Sequence, residues 1–271
     1  MLLADRVAII TGGAKGMGRG MALRFAEEGC SVAIIDIAVA EANDAAAEVS
    51  KRGREGLAVP CDVTKGTEVR DAVRTVFEKF GKVDILVNNA GGMPGSHAIE
   101  DMTEEEWDKV QALNIKSDFL FCKYVVPHMK ERKYGRIINF SSVGAINPPA
   151  HAIHYNTAKA AVIGFTYDLA HALAPFNIHV NAILPGPIRT SFYDGMIGSM
   201  TEKEKDDFFE GLGRNVVPLG RVGTPQDVAG AALFLASELS SFVTGTTLLV
   251  SGGLPLTRPI LDEVVIGGPG R

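Results

Sequence analysis

The chain has 271 residues, 46% of them hydrophobic, and a mean hydropathy of +0.13; it is too apolar for disorder and long enough for one large α/β core or two small ones. Its 27 basic and 32 acidic side chains leave a net charge of −5, which supplies no electrostatic footprint for nucleic acid or an acidic membrane. The longest run without a polar side chain, residues 228–236, covers nine positions and is too short to span a bilayer.

The opening MLLADRVAII contains an acid and lacks the charged, apolar, small order of a signal peptide. Residues 6–10 (RVAII) read as a buried strand, and TGGAKGMG follows at residues 11–18. Its Gly12, Gly16 and Gly18, with Lys15 and Met17 between them, form a sharp turn where a Cβ would obstruct a pyrophosphate. A helix opening near Gly16 offers free N–H groups and a positive dipole end to those phosphates, and Gly29 stops it. The spacing is G-x-x-x-G-x-G, and its place between first strand and first helix is what gives it weight. The next strand, residues 31–36, ends in Asp36, whose carboxylate accepts adenosine ribose hydroxyls and repels a 2′-phosphate. Ile37 follows where an NADP site would more often carry a base. Lys15 argues the other way, and the carboxylate outweighs it, so NAD is expected over NADP.

Cys30, Cys61 and Cys122 are scattered and odd in number, which predicts no disulfide framework and a reducing, cytoplasmic location. Strands are expected at 56–60 and 83–87. Thr103 with Glu106 forms a capping box at the start of a helix reaching to about residue 130. A strand at 135–141 is closed by Ser142. On the helix over 152–175, Tyr155 and Lys159 stand one turn apart on one face. A free tyrosine has a pKa of about 10; a neighbouring ammonium and an oxidised nicotinamide ring would favour its phenolate, with Ser142 placed to hydrogen-bond a substrate oxygen. His151 and His154 lack an acidic partner and are expected to line a substrate cleft, so no metal site is predicted.

A strand at 178–184 leads into an insertion, Pro185 to about Pro218, carrying Phe192, Tyr193, Met196 and Met200. Its residues 186–217 read as a substrate loop, with Phe192 and Met196 against the substrate. Thr224 caps a helix with Pro225 in its first position, and a last strand lies at 246–250. Strand–helix alternation throughout predicts α/β architecture: one doubly wound parallel sheet with helices on both faces, a single domain over residues 1–253, and a C-terminal extension over 254–271.

Taken in order, these motifs resemble the short-chain dehydrogenase/reductase family over residues 4–253. The resemblance implies a Rossmann-like sheet of about seven strands and hydride transfer between NAD and a secondary alcohol or ketone. By it, Asn89, Ala90 and Gly91 of NNAG lie at the adenine side, Asp62 and Val63 meet the adenine ring, and Pro185, Gly186, Ile188 and Thr190 border the carboxamide. Tyr155 then exchanges the proton, Ser142 steadies the carbonyl, Lys159 holds the ribose and lowers the tyrosine pKa, and Asn114 supports a proton-relaying water. A homotetramer or homodimer is implied, with apolar faces on the helices near 104–130 and 152–175. His171 stands where the 3-oxoacyl carrier-protein reductases of the family usually carry arginine. A 3-oxoacyl thioester reductase using NADPH, and a nucleotide-binding protein without chemistry, are the alternatives.

Overall fold

Runs of Val, Ile, Leu and Ala without alternating polar residues form strands that bury both faces. The computed structural model describes residues 1–93, 95, 97–150 and 152–256. Its strands are β1 (Val7–Thr11), β2 (Ser31–Asp36), β3 (Gly56–Pro60), β4 (Ile85–Asn88), β5 (Gly135–Phe140), β6 (Ile178–Pro185) and β7 (Thr247–Val250). All pair in parallel, in the order β3-β2-β1-β4-β5-β6-β7. In register, Ile9 lies opposite Ala33 on one side and Leu86 on the other.

The helices are α1 (Gly16–Glu27), α2 (Val39–Lys51), α3 (Gly66–Phe80), α4 (Glu104–Gln111), α5 (Ser117–Arg132), α6 (Ile153–Leu173), α7 (Asp194–Ile197), α8 (Glu202–Val216) and α9 (Pro225–Ala236). Successive strand residues point to opposite faces, so the core splits in two. Ile10 and Ile34 pack with Met21 and Phe25 of α1, Val49 of α2 and Leu233 of α9. Ile9, Ile35 and Leu86 pack with Val76 of α3, Phe121 and Val125 of α5 and Leu173 of α6. The three cysteines are buried and free, as small apolar residues. No helix among the described residues is long and apolar enough to cross a membrane.

The capping box of α4 (Thr103, Glu106) and the Thr224 cap of α9 form as the sequence predicts, and Asp227 completes the latter as a box. Several boundaries differ. β1 starts one residue later than expected and β4 two later, because Asp84 is drawn off as a buried anion. It accepts the Val7 amide at 2.9 Å and pairs with Arg132 at 2.8 Å and Lys82 at 3.1 Å. The single helix expected over 104–130 is two, joined by a π turn at Ala112–Lys116, where the Ser117 N–H reaches back five residues to the Ala112 carbonyl. Ser142 does not close β5. The strand ends at Phe140, and Ser142 caps the short turn Val143–Ala145 with its Oγ accepting from the Gly144 N–H at 3.0 Å.

Candidate active site

Between β1 and α1 the chain turns with Gly12 at φ 62° and Gly16 at φ 53°, conformations that a Cβ disfavours. A Cβ on Gly18 would stand 2.1 Å from the Gly12 carbonyl oxygen, so only glycine lets α1 start so close to the turn. Lys15, the N-cap of α1, makes no side-chain cap bond, which leaves the first helical N–H groups for an anion. Two neighbours hold the turn. Asp36 accepts the Ala14 N–H on one carboxylate oxygen and the Ala38 N–H on the other, each at 3.0 Å. On the opposite side Asn89 donates to the Thr11 carbonyl at 2.8 Å and the Gly12 carbonyl at 3.1 Å. Thr11 Oγ1 accepts the amides of Asn89 and Ala90, both at 2.9 Å. Each Asp36 oxygen keeps a lone pair for a further donor.

Lys15 is turned away to Glu41, with the ammonium and carboxylate 2.7 Å apart and the lysine pKa raised by that partner. Asp62 accepts from Thr64 Oγ1 at 2.7 Å and Thr64 N at 3.0 Å and faces Lys65 at 3.4 Å, and its carboxyl is held below the ordinary range chiefly by the Thr64 hydroxyl. Val63 beside it is buried. The narrow glycine cradle, the open helix end and the carboxylate at the end of β2 fit a dinucleotide.

A cavity of about 580 Å³ opens beyond the C-terminal ends of the strands. Met17, Asn89, Gly91, Pro185, Gly186, Ile188 and Thr190 line it together with Ser142, Tyr155, Lys159, Phe192 and Met196. Gly12, Lys15, Gly16, Gly18, Asp36, Asp62, Val63, Ala90 and Asn114 lie outside its wall. Gly186 is there because a Cβ would come 2.8 Å from the Ser251 Cα.

Tyr155 and Lys159 share one face of α6, with the ammonium 5.7 Å from the Tyr155 ring centre. Ser141 Oγ donates to the Lys159 carbonyl at 2.7 Å, fastening α6 to the end of β5. Lys159 Nζ donates to the Phe140 carbonyl at 2.8 Å, and the residue is only 4% exposed. Asn114 Oδ1 accepts the Gly92 N–H at 3.1 Å, while its Nδ2 donates to the Gly92 carbonyl at 2.8 Å and the Val110 carbonyl at 3.0 Å. Gly91 sits between the two: a Cβ there would come 2.7 Å from Asn114 Oδ1 and 3.0 Å from Lys159 Nζ.

Burial rules the electrostatics. It pushes the Tyr155 phenol up to about 12, against which the facing Ser142 hydroxyl pulls it back. The expected lowering by Lys159 is not what dominates here, since the ammonium points at the Phe140 carbonyl. Burial also pushes Lys159 down and Asp118 up, each opposed by the charge of the other. Asp118 follows Asn114 by one turn, is fully buried, and its Oδ2 has no hydrogen-bond partner among the described residues. At neutral pH the phenol therefore carries a proton ready for an acceptor oxygen in the cavity.

One expected substrate contact does not appear in this wall. His154 is fully buried and turned into the interior, with neither ring nitrogen hydrogen-bonded among the described residues, and its backbone carbonyl accepts from Gln111 at 2.9 Å. An i, i+1 neighbour of Tyr155 points to another side of the helix, which sequence proximity hides. His151 lies outside the described residues. Conversely, Tyr193, Leu212, Val216, Asn147 and Leu254 line the cavity unforeseen. The amphipathic spacing of Phe209, Leu212 and Val216 on α8 was the available signal for two of them.

Comparison with known proteins places this geometry. A family model described as enoyl-(acyl carrier protein) reductase matches residues 12–255. The chain is 41% identical to the (2S)-[(R)-hydroxy(phenyl)methyl]succinyl-CoA dehydrogenase subunit BbsD of Thauera aromatica, over 94% of this chain and 99% of that one. Among solved structures, levodione reductase superposes with a TM-score of 0.84 at 31% identity, covering 93% of this chain and 98% of that one. The 3-ketoacyl-(acyl-carrier-protein) reductase of Brucella melitensis, complexed with NADH, gives 0.82 at 37%, with the same coverage.

Proposed function

The chain belongs to the short-chain dehydrogenase/reductase family, and from that premise we propose that it exchanges hydride between NAD(H) and a secondary alcohol or ketone. The observation that carries this reading is that Ser142, Tyr155 and Lys159 line one cavity that Met17, from the glycine-turn segment, and Gly186 also border. A bound nicotinamide supplies the hydride. The protein's part is binding and proton handling. Tyr155 holds its proton at the substrate oxygen, giving it to a ketone or taking it back from an alcohol. Ser142 Oγ stands beside that hydroxyl and donates to the same oxygen. Lys159 brings a positive charge near the tyrosine and donates to the ribose hydroxyls, and Asn114 keeps the Gly91–Gly92 backbone in place against it.

NAD is favoured over NADP by Asp36 and by the engagement of Lys15 with Glu41, which ties up the lysine of the turn that a 2′-phosphate would otherwise recruit. The similarity to a 3-ketoacyl carrier-protein reductase supports the alternative of a 3-oxoacyl thioester reductase, and NADPH would be its cofactor only against the NADH bound in that relative. Residues 1–253 form the dinucleotide-binding unit, residues 186–217 with α7 and α8 act as its substrate cover, and 254–271 extend beyond it. Exposed Phe119, Tyr167, Leu249 and Phe242 favour assembly as a homotetramer.

The test is turnover of a panel of secondary alcohols and of an acetoacetyl thioester, with each cofactor, in the wild type and Tyr155→Phe. Alcohol oxidation with NAD, about tenfold more efficient than with NADP and reduced by a factor of about 10² or more in the variant, is the expected result. Thioester reduction with NADPH alone would support the alternative, and full activity in Tyr155→Phe would remove the mechanism.

A further inference from the structure

Tyr193 lines the same cavity as Tyr155 but takes no part in the proton chemistry above. It ends the short turn Ser191–Tyr193 at the entry to α7. Three rings hold it edge-on: Phe209 at 5.4 Å, Phe192 at 5.5 Å and Phe208 at 6.0 Å between centres. Phe192 also stands 6.0 Å from the Tyr155 ring, so the two phenols flank one aromatic residue on the same wall. Burial alone raises the Tyr193 pKa, with no hydrogen-bond partner contributing. Tyr193 is part-buried, and its hydroxyl, a protonated donor throughout the neutral range, can bond a ligand oxygen in place of water.

The surrounding wall is apolar: Met93, Pro148, Met196, Leu212, Val216 and Leu254. Of the nearby polar side chains, Asn156 Nδ2 donates to the Pro149 carbonyl at 3.2 Å while its buried Oδ1 has no partner among the described residues, and Ser142 Oγ accepts from Gly144 at 3.0 Å. Among the described residues of the wall the one cation, Lys159, is turned to the Phe140 carbonyl. A carboxylate or phosphate on the substrate would find no free counter-charge there.

We propose that Tyr193 is a specificity-determining donor for a second, neutral oxygen of the substrate, a carbonyl or ether oxygen a few bonds from the reacting carbon on an otherwise apolar skeleton. This rests on the alcohol/ketone reading above. It makes the preferred substrates diones, hydroxyketones or keto ethers with a carbocyclic or aryl body. A site built to hydrogen-bond such an oxygen discriminates against the analogue lacking it, because the hydroxyl is then left unpaired.

The experiment compares two ketone pairs, cyclohexanone with cyclohexane-1,4-dione and acetophenone with 4-methoxyacetophenone, reduced with NADH and with NADPH. The second oxygens of the two pairs lie at different reach. For the wild type, kcat/KM favours the two-oxygen member of at least one pair by about tenfold, the worth of one buried neutral hydrogen bond. Tyr193→Phe keeps the three ring contacts and brings that ratio down to within about a factor of two, the statistical value for a dione. Wild-type enzyme without preference in either pair, or a preference that survives Tyr193→Phe, overturns the assignment of Tyr193 while leaving ketone reduction standing. Failure to reduce any of the four overturns the alcohol/ketone reading itself, and Tyr193 falls with it.

Discussion

At Asp36 both carboxylate oxygens accept backbone N–H groups, those of Ala14 and Ala38. The same side chain that is proposed to select NAD therefore also shapes the turn that receives the pyrophosphate. Ile37 beside it is 74% exposed and supports nothing in the core. The double variant Asp36→Ala, Ile37→Arg should move the ratio of kcat/KM for NAD and NADP by about tenfold or more toward NADP. It should also lower stability by about 1–3 kcal/mol, since hydrogen bonds to a charged acceptor are lost. Paired kinetics and denaturant melts check both parts. An unmoved cofactor ratio would mean that the adenosine ribose does not lie at Asp36. Deeper in the site, one cause acts on three groups: burial disfavours charge, so Tyr155 and Asp118 hold their protons while Lys159 is pressed to release its own.

Among the elements, the π turn between α4 and α5 does the positioning. It sets Asn114 with its amide bonded to both the N–H and the carbonyl of Gly92, so the strand-end loop after β4 is tied to the helix pair. Gly91 is the point of closest approach. Gly91→Ala should leave the fold intact, because the nearest atoms are side-chain ends, yet displace Asn114 Oδ1 or Lys159 Nζ by a few tenths of an ångström or more. A shift of that kind in a catalytic constellation costs about a hundredfold in kcat, read by steady-state kinetics beside a melting curve. Near wild-type turnover would show that the Asn114–Lys159 approach is irrelevant to the reaction. The insertion expected as a substrate loop folds as the helices α7 and α8, and α8 contributes Leu212 and Val216 to the cavity wall.

For the whole molecule, the strand order places the chain reversal between β1 and β4, so the loops after those strands diverge and open the cofactor crevice. The apolar residues of α4, α5 and α6 divide: Val110, Phe121, Val125, Val162 and Leu173 are buried, while Phe119 is 48% exposed and Tyr167 similarly so. Leu254, the first residue of the C-terminal extension, lines the cavity, and Ser251 Oγ donates to its carbonyl at 2.7 Å. The extension beyond residue 256 lies outside the described residues. Truncation after Gly253 should raise the Michaelis constant for the alcohol about three- to tenfold through loss of one apolar wall residue, with light scattering giving the same oligomeric state as the full chain. An unchanged constant would make Leu254 incidental to binding.

Local pattern was enough to determine the strands, the glycine turn, the capped helices and the Tyr155–Lys159 pair, because strand burial, phosphate approach and a one-turn spacing are each written in a few consecutive residues. The break at Asn114 was carried by family resemblance, since the bonds that cause it run to Gly92, 22 residues away. Only the tertiary structure turned His154 inward, sent Lys15 to Glu41, engaged Asp36 with the glycine turn and gathered Tyr193, Leu212 and Leu254 around one cavity. Those outcomes depend on which surfaces meet across the sheet and its loops. Such meetings are fixed by packing between segments far apart in the chain, which no local pattern encodes.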